Sequence, residues 1–281
     1  MPGLWWLFAF AAGFLAVLWW RWTKGRREPG YLAVSEYWVY AVEASMPRIE
    51  RIMEAMVKSN PLSRPDRPAI TTREGVLFSD LRLRMSAARR DSNPHAFRPD
   101  LFEEDAVPSA EILHRLSQAE VFLRFRYLSE ARLSDTRHLQ FMPHLAAAVC
   151  RLVDGTIVYD PVSQVLYTHE DFVHLLSSHP DAEAPEIHVR TVRKESPDGV
   201  WYESRGLRKV GRKELRSDFQ NPDSDVLVEH LLRETCLRLF RAPEADGPFD
   251  IQAFGGRFLA EIEPQRGETQ MLRLGRVRDP R

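Results

Sequence analysis

The chain is poor in cysteine: Cys150 and Cys236 are the only two among 281 residues. Two thiols so far apart make no disulfide framework, and the count fits a reducing compartment. The chain also lacks an excess of charge. Its 39 basic and 40 acidic residues leave a formal net charge of −1, so no global field draws it to nucleic acid, and none is expected as a partner. Fourteen glycines are scattered rather than clustered. There is no Gly-rich phosphate loop ending in Lys-Ser/Thr, no dinucleotide fingerprint and no Gly-x-Ser-x-Gly elbow. No cofactor is expected and no catalytic residue is nominated. A carboxylate pair assembled in three dimensions, such as Asp154 with Asp160, would leave no mark in the sequence.

Nine histidines invite a search for metal ligands. His169 and His174 resemble the zinc-protease helix pattern but stand five apart. That spacing turns the two imidazoles about 140° around a helix, whereas four would align them. Thr168 followed by Asp171 reads instead as a helix cap. His138 and His144 also diverge on a helix, and neither cysteine has a ligand at zinc spacing. No metal site is expected. Cys150 follows an apolar Ala-Ala-Ala-Val stretch and reads as a buried small hydrophobe.

What the chain does have is one long apolar run. Residues 4–20 read LWWLFAFAAGFLAVLWW, and Arg21, Lys24, Arg26 and Arg27 follow at once. As a helix, residues 4–22 would reach roughly 27 Å, close to the thickness of a bilayer core. Trp5 and Trp6 mark one end; Trp19, Trp20 and Trp22 mark the other, as indoles do at lipid headgroups. Residues 1–22 are therefore read as a single-pass signal anchor in the lipid bilayer, and 23–30 as a basic juxtamembrane linker. The basic flank places the amino terminus outside the inner membrane and residues 31–281 in the cytoplasm. A cleaved signal peptide would need a basic start and a small-residue site beyond the run, and neither is present.

Residues 31–281 suffice for one large or two small domains. Residues 36–43 are dense in aromatic and β-branched side chains and predict a strand, followed by a helix from about 45 to 58. The alternative is a coiled-coil seam through Val39, Val42, Met46, Ile49, Met53 and Met56, which Pro47 would interrupt. A loop is expected over 60–68, an extended segment over 76–85 and an irregular excursion over 87–108. A helix over 109–118 and a strand over 119–128 follow, then a helix over 135–153. Strands 156–159 and 165–167 form a hairpin around Asp160-Pro161, and a helix follows Thr168. Strands 186–194 and 200–205 flank a Ser-Pro-Asp-Gly turn. A helix spans 225–240, and strands 249–254 and 258–262 flank Gly255-Gly256, with a last strand over 271–277. Hairpins interspersed with helices, without βαβ alternation, predict an α+β fold with a mainly antiparallel sheet. Residues 243–281 could form an appended β unit.

The most concentrated charge lies in residues 205–213, RGLRKVGRK. Arg205, Arg208, Lys209, Arg212 and Lys213 are the candidates for binding an anion or a partner. A solvated strand end with glycines at a turn is the alternative.

Two stretches, residues 139–161 and 204–215, resemble segments of uncharacterised bacterial families of unknown function. In those a helix leads into a Gly-x-x-Tyr-Asp-Pro hairpin, and a Gly-Leu-x-x-x-Gly-x-x-Glu-Leu segment follows. The resemblance implies a single α+β unit and carries no catalytic residues with it. The expected function is binding of a protein partner or tethering of a complex at the membrane. An enzyme acting on a phosphorylated or anionic small molecule, and binding of anionic lipid headgroups through 205–213, are the alternatives.

Overall fold

A computed structural model of the chain describes residues 33–59, 83–98, 108–129, 136–179, 184–197, 199–217, 225–263 and 269–276. The expected anchor and linker over 1–30, the loop 60–68 and the extended start over 76–82 lie outside those residues. Among the described residues no helix is long and apolar enough to cross a membrane.

The fold is α+β, with two mostly antiparallel sheets. The first has the order β2-β3-β1-β4-β5 and is antiparallel throughout. Its strands are β1 (Val34–Ala41), β2 (Leu83–Arg89), β3 (Val121–Leu128), β4 (Ile157–Asp160) and β5 (Val165–Thr168). β1 lies between β3 and β4, which explains its near-continuous burial. One face places Tyr37, Val39, Leu123 and Phe125 in a core with α1 (Ile49–Ser59), α3 (Arg137–Leu152) and α4 (His169–Ser178). The other face is covered at one end by α2 (Ala110–Gln118) and a 3₁₀ turn (Pro94–Phe97), through Tyr40, Phe97, Leu116, Phe122 and Tyr159.

Strand followed by helix, rather than a seam, is the arrangement over 34–59. Two caps act as their chemistry requires. Ser109 Oγ accepts from the Ile112 N–H at 3.3 Å, and Thr168 Oγ1 accepts from the Asp171 N–H at 3.1 Å. The excursion expected over 87–108 is corrected at its start. β2 runs on to Arg89, because Ala87 and Ala88 pair with Leu123 and Phe122.

The second sheet has the order β6-β7-β8-β11-β10-β9. It comprises β6 (Arg190–Ser196), β7 (Gly199–Arg205), β8 (Glu214–Ser217), β9 (Phe249–Ala253), β10 (Gly256–Glu263) and β11 (Thr269–Arg276). Helix α6 (Asp225–Arg241) packs on it through Val228, Leu231, Leu232, Leu239 and Phe240. The strand expected over 186–194 is corrected. Pro185 opens a helical turn, α5 (Pro185–His188), and β6 begins only at Arg190. β8 was not expected at all. It pairs in parallel with β11 over Glu214↔Thr269 to Ser217↔Leu272, so β9–β11 complete this sheet rather than standing apart.

His144 on α3 is 4% exposed, and its Nε2 has no hydrogen-bond partner among the described residues. Burial lowers its pKa to about 4, below the ordinary 6.5. The unfolded chain therefore binds the proton first on acidification. The contribution of His144 is full above about pH 6.5 and falls as pH drops toward 4, a loss of roughly 3 kcal/mol. His144→Leu is expected to flatten that part of the profile, as followed by urea unfolding of the full chain in detergent near neutral pH and near pH 4. An unchanged slope would show that His144 is not the sensitive group.

Candidate functional site

The two sheets belong to one compact unit. Where they meet, the basic segment 205–213 folds into a 3₁₀ turn, Leu207–Val210, bounded by Gly206 and Gly211 in left-handed conformations. Glu214 organises this turn. Its carboxylate accepts from the backbone N–H groups of Gly206 at 2.9 Å, Leu207 at 3.3 Å and Arg208 at 3.3 Å, and from Ser204 Oγ at 2.6 Å. Gly206 is dictated by space as well as by φ (+109°), since an added Cβ would lie 1.9 Å from the His188 carbonyl oxygen.

The turn sends its charged side chains in opposite directions. Lys209 points inward and is 0% exposed. Its ammonium pairs with Asp160 Oδ2 and donates to His188 Nδ1 at 3.2 Å and Tyr37 Oη at 3.4 Å. All three N–H donors thus have acceptors, which is what makes a buried ammonium tolerable. Burial pulls the Lys209 pKa below the ordinary lysine value, and Asp160 pushes it back up. Burial, then Asp160, raise Tyr37 well above the usual phenol value.

Asp160 is held in turn. Its Oδ1 accepts from the N–H groups of Val162 and Ser163, both at 3.1 Å, and its Oδ2 accepts from Ser163 Oγ at 3.0 Å. Ser163 Oγ also lies 2.8 Å from the His188 carbonyl, and His138 Nε2–H donates to the Lys209 carbonyl at 2.7 Å. Tyr37 and Asp160 stand on β1 and β4 of the first sheet and His138 on α3, whereas Lys209 belongs to the turn between β7 and β8 of the second. The cluster is a polar rivet between the two sheets.

In front of the rivet is a cleft of about 420 Å³. The first sheet contributes Glu36, Arg126, Val162 and Gln164 to its walls, and the second contributes Glu203, Arg205, Arg208 and Glu214. Glu36 is shared by Arg124 at 2.6 Å and Arg126 at 3.1 Å, and also accepts from Trp38 Nε1 at 2.6 Å. Glu203 pairs with Arg205 at 2.9 Å and accepts from Trp201 Nε1 at 3.0 Å. Arg208 is exposed, and its guanidinium has no ion-pair partner among the described residues.

The five candidates from the sequence therefore separate. Arg205 and Arg208 reach the cleft. Arg212 is turned away, to Asp246 at 3.0 Å and the Pro243 carbonyl at 3.3 Å. Lys213 is exposed but does not line the cleft. Lys209 is corrected outright: it faces inward because Asp160 compensates its charge there. Asp154 does not join Asp160 as a carboxylate pair; it occupies a left-handed turn, φ 48°, after α3. Cys150 is fully buried, and burial pushes its thiol up to about 12. Among the described residues no group of three or more His, Cys, Asp or Glu could hold a metal ion. Sequence reasoning missed Tyr37, His188, Glu214 and the Glu36–Arg126 wall.

The chain matches no family model, no curated protein and no solved structure.

Proposed function

We propose that this chain is a single-pass inner-membrane protein whose cytoplasmic α+β domain binds a protein partner in the cleft between its two sheets. The placement rests on the Trp-flanked apolar run over 4–20 and the basic residues after it. The binding reading is carried by one observation: each carboxylate on the cleft wall is already engaged, whereas Arg208 is open. Glu36 and Glu203 are ion-paired, and Glu214 is committed to backbone N–H groups. Carboxylates held in this way are poorly placed to move protons, so an acid–base enzyme is the weaker reading. Lipid binding through 205–213 is weaker too, because Arg205, Lys209 and Arg212 are turned to protein partners.

Two measurements on the full chain test the proposal. Reporters fused after residue 30 and at the carboxyl terminus are expected to report the cytoplasmic side. An external carboxyl terminus would overturn the placement. A photo-crosslinking residue at Val162, inside the cleft, is expected to give a discrete protein adduct in intact membranes. The same residue at exposed Glu261 on β10 is expected to give none. Identical adducts from both positions, or none from either, would overturn the binding reading.

A further inference from the structure

The cleft is not an isolated pocket. The pairing register of the first sheet continues it across the open part of that sheet. Arg84 on β2 stands opposite Arg126 on β3, and Arg126 stands opposite Glu36 on β1. Directly paired residues point to the same side of a sheet, so these three form one row. The next row on the same side is Ser86, Arg124 and Trp38. At this end of the face Arg84 and Ser86 are exposed and Arg124 and Arg126 half-buried. The covering aromatic cluster gathers around Tyr40, Phe97, Phe122 and Tyr159 and ends at Trp38, whose ring stacks on Phe122 at 4.8 Å.

Neighbouring strands are about 4.8 Å apart, so the row from Arg84 to Glu36 spans roughly 10 Å. Glu36 and Arg126 are themselves cleft walls, with Arg205 and Arg208 opposite. The cleft and the open face thus make one track. It carries five arginines, at 84, 124, 126, 205 and 208, against three glutamates, at 36, 203 and 214. Glu36 must serve both Arg124 and Arg126, and Glu214 is spent on backbone N–H groups. Arg84 and Arg208, at the two ends, are exposed and have no ion-pair partner among the described residues. The track is therefore positive on a chain whose net charge is −1.

We infer that the protein partner presents an extended acidic segment, which lies along this track from the cleft to Arg84 with carboxylates on the two unpaired guanidinium groups. The inference rests on the binding reading above and names the chemistry of that partner. A carboxylate is the complement of a guanidinium because the two can share parallel N–H···O bonds. A chain rather than a small anion is indicated because Arg84 stands on edge strand β2, two strands or roughly 10 Å of backbone from the Glu36 wall of the cleft that Arg208 also lines.

The test uses the full chain in detergent and a fluorescent Glu-rich peptide about ten residues long, with a Gln-rich peptide as control. Wild type is expected to bind the Glu-rich peptide in a salt-sensitive manner and to ignore the control. Arg84→Glu combined with Arg208→Glu is expected to weaken binding roughly tenfold or more. Arg233→Glu, at an exposed position on α6, is expected to leave it unchanged. Both substitutions in the double variant are at exposed side chains, and an unchanged thermal melt confirms that the fold is kept. Equal binding by wild type and the double variant, or no binding by wild type, would overturn the inference. So would displacement of the peptide by millimolar inorganic phosphate alone, or a preference for anionic vesicles over the peptide. A Val162 adduct with a partner that is not acidic at the contact would overturn this inference while leaving the binding reading standing.

Discussion

Lys209→Met is expected to lower the unfolding free energy by roughly 3–5 kcal/mol, because removing one member of a buried ion pair leaves the other charged and uncompensated. For a domain of this size that corresponds to a fall in Tm of roughly 10 °C. Asp160 would keep its bonds to Val162, Ser163 and the Ser163 hydroxyl but lose the ammonium that faces it at a buried site. The damage is therefore expected to be partly reversed by Asp160→Asn in the same chain, which removes the stranded charge. Thermal melts of the full chain in detergent would compare the single and double variants. A double variant less stable than Lys209→Met would show that Asp160 acts alone and not as the partner of Lys209.

Gly206→Ala is expected to be nearly as damaging, at about 3 kcal/mol or more, although it adds one methyl group. The new Cβ would lie 1.9 Å from the His188 carbonyl oxygen, and φ of +109° disfavours any side chain. Relief requires the turn or α5 to move. Either motion disturbs the Gly206 N–H bond to Glu214 and the 2.8 Å approach of Ser163 Oγ to the His188 carbonyl. Gly255→Ala is the matched comparison, since φ there is +71° but nothing lies within 4 Å of an added Cβ. It is expected to cost about 1 kcal/mol. Equal losses at the two positions would show that backbone conformation alone matters at Gly206.

These two residues also show where the sequence was legible. Elements announced by local chemistry were readable: the Thr168 cap, the hairpin around Asp160-Pro161 and the hairpin at Gly255-Gly256. Each needs only near neighbours. β8 was not readable, because its Glu-Leu-Arg-Ser sequence has a single apolar residue and its parallel partner β11 is distant in the chain. The stretch 186–189 alternates as a strand would, and only Pro185 hinted at a helical turn. The 205–213 segment looked uniform because a run of charges reads as solvated unless a distant countercharge is known. Asp160 is that countercharge, 49 residues upstream of Lys209. The available signal was steric: Gly206 and Gly211 bracket the turn that aims Lys209 inward and Arg208 outward.

That division of one basic segment into an internal rivet and an open cleft is tested by lysine acylation of the folded full chain. Lys213 is exposed and Lys209 is fully buried. Under native conditions an amine-reactive probe is expected to label Lys213 readily and to leave Lys209 unmodified until denaturant unfolds the domain, as read by peptide mass spectrometry. Labelling of Lys209 in the folded chain at a rate close to that of Lys213 would show that its ammonium is not held inside.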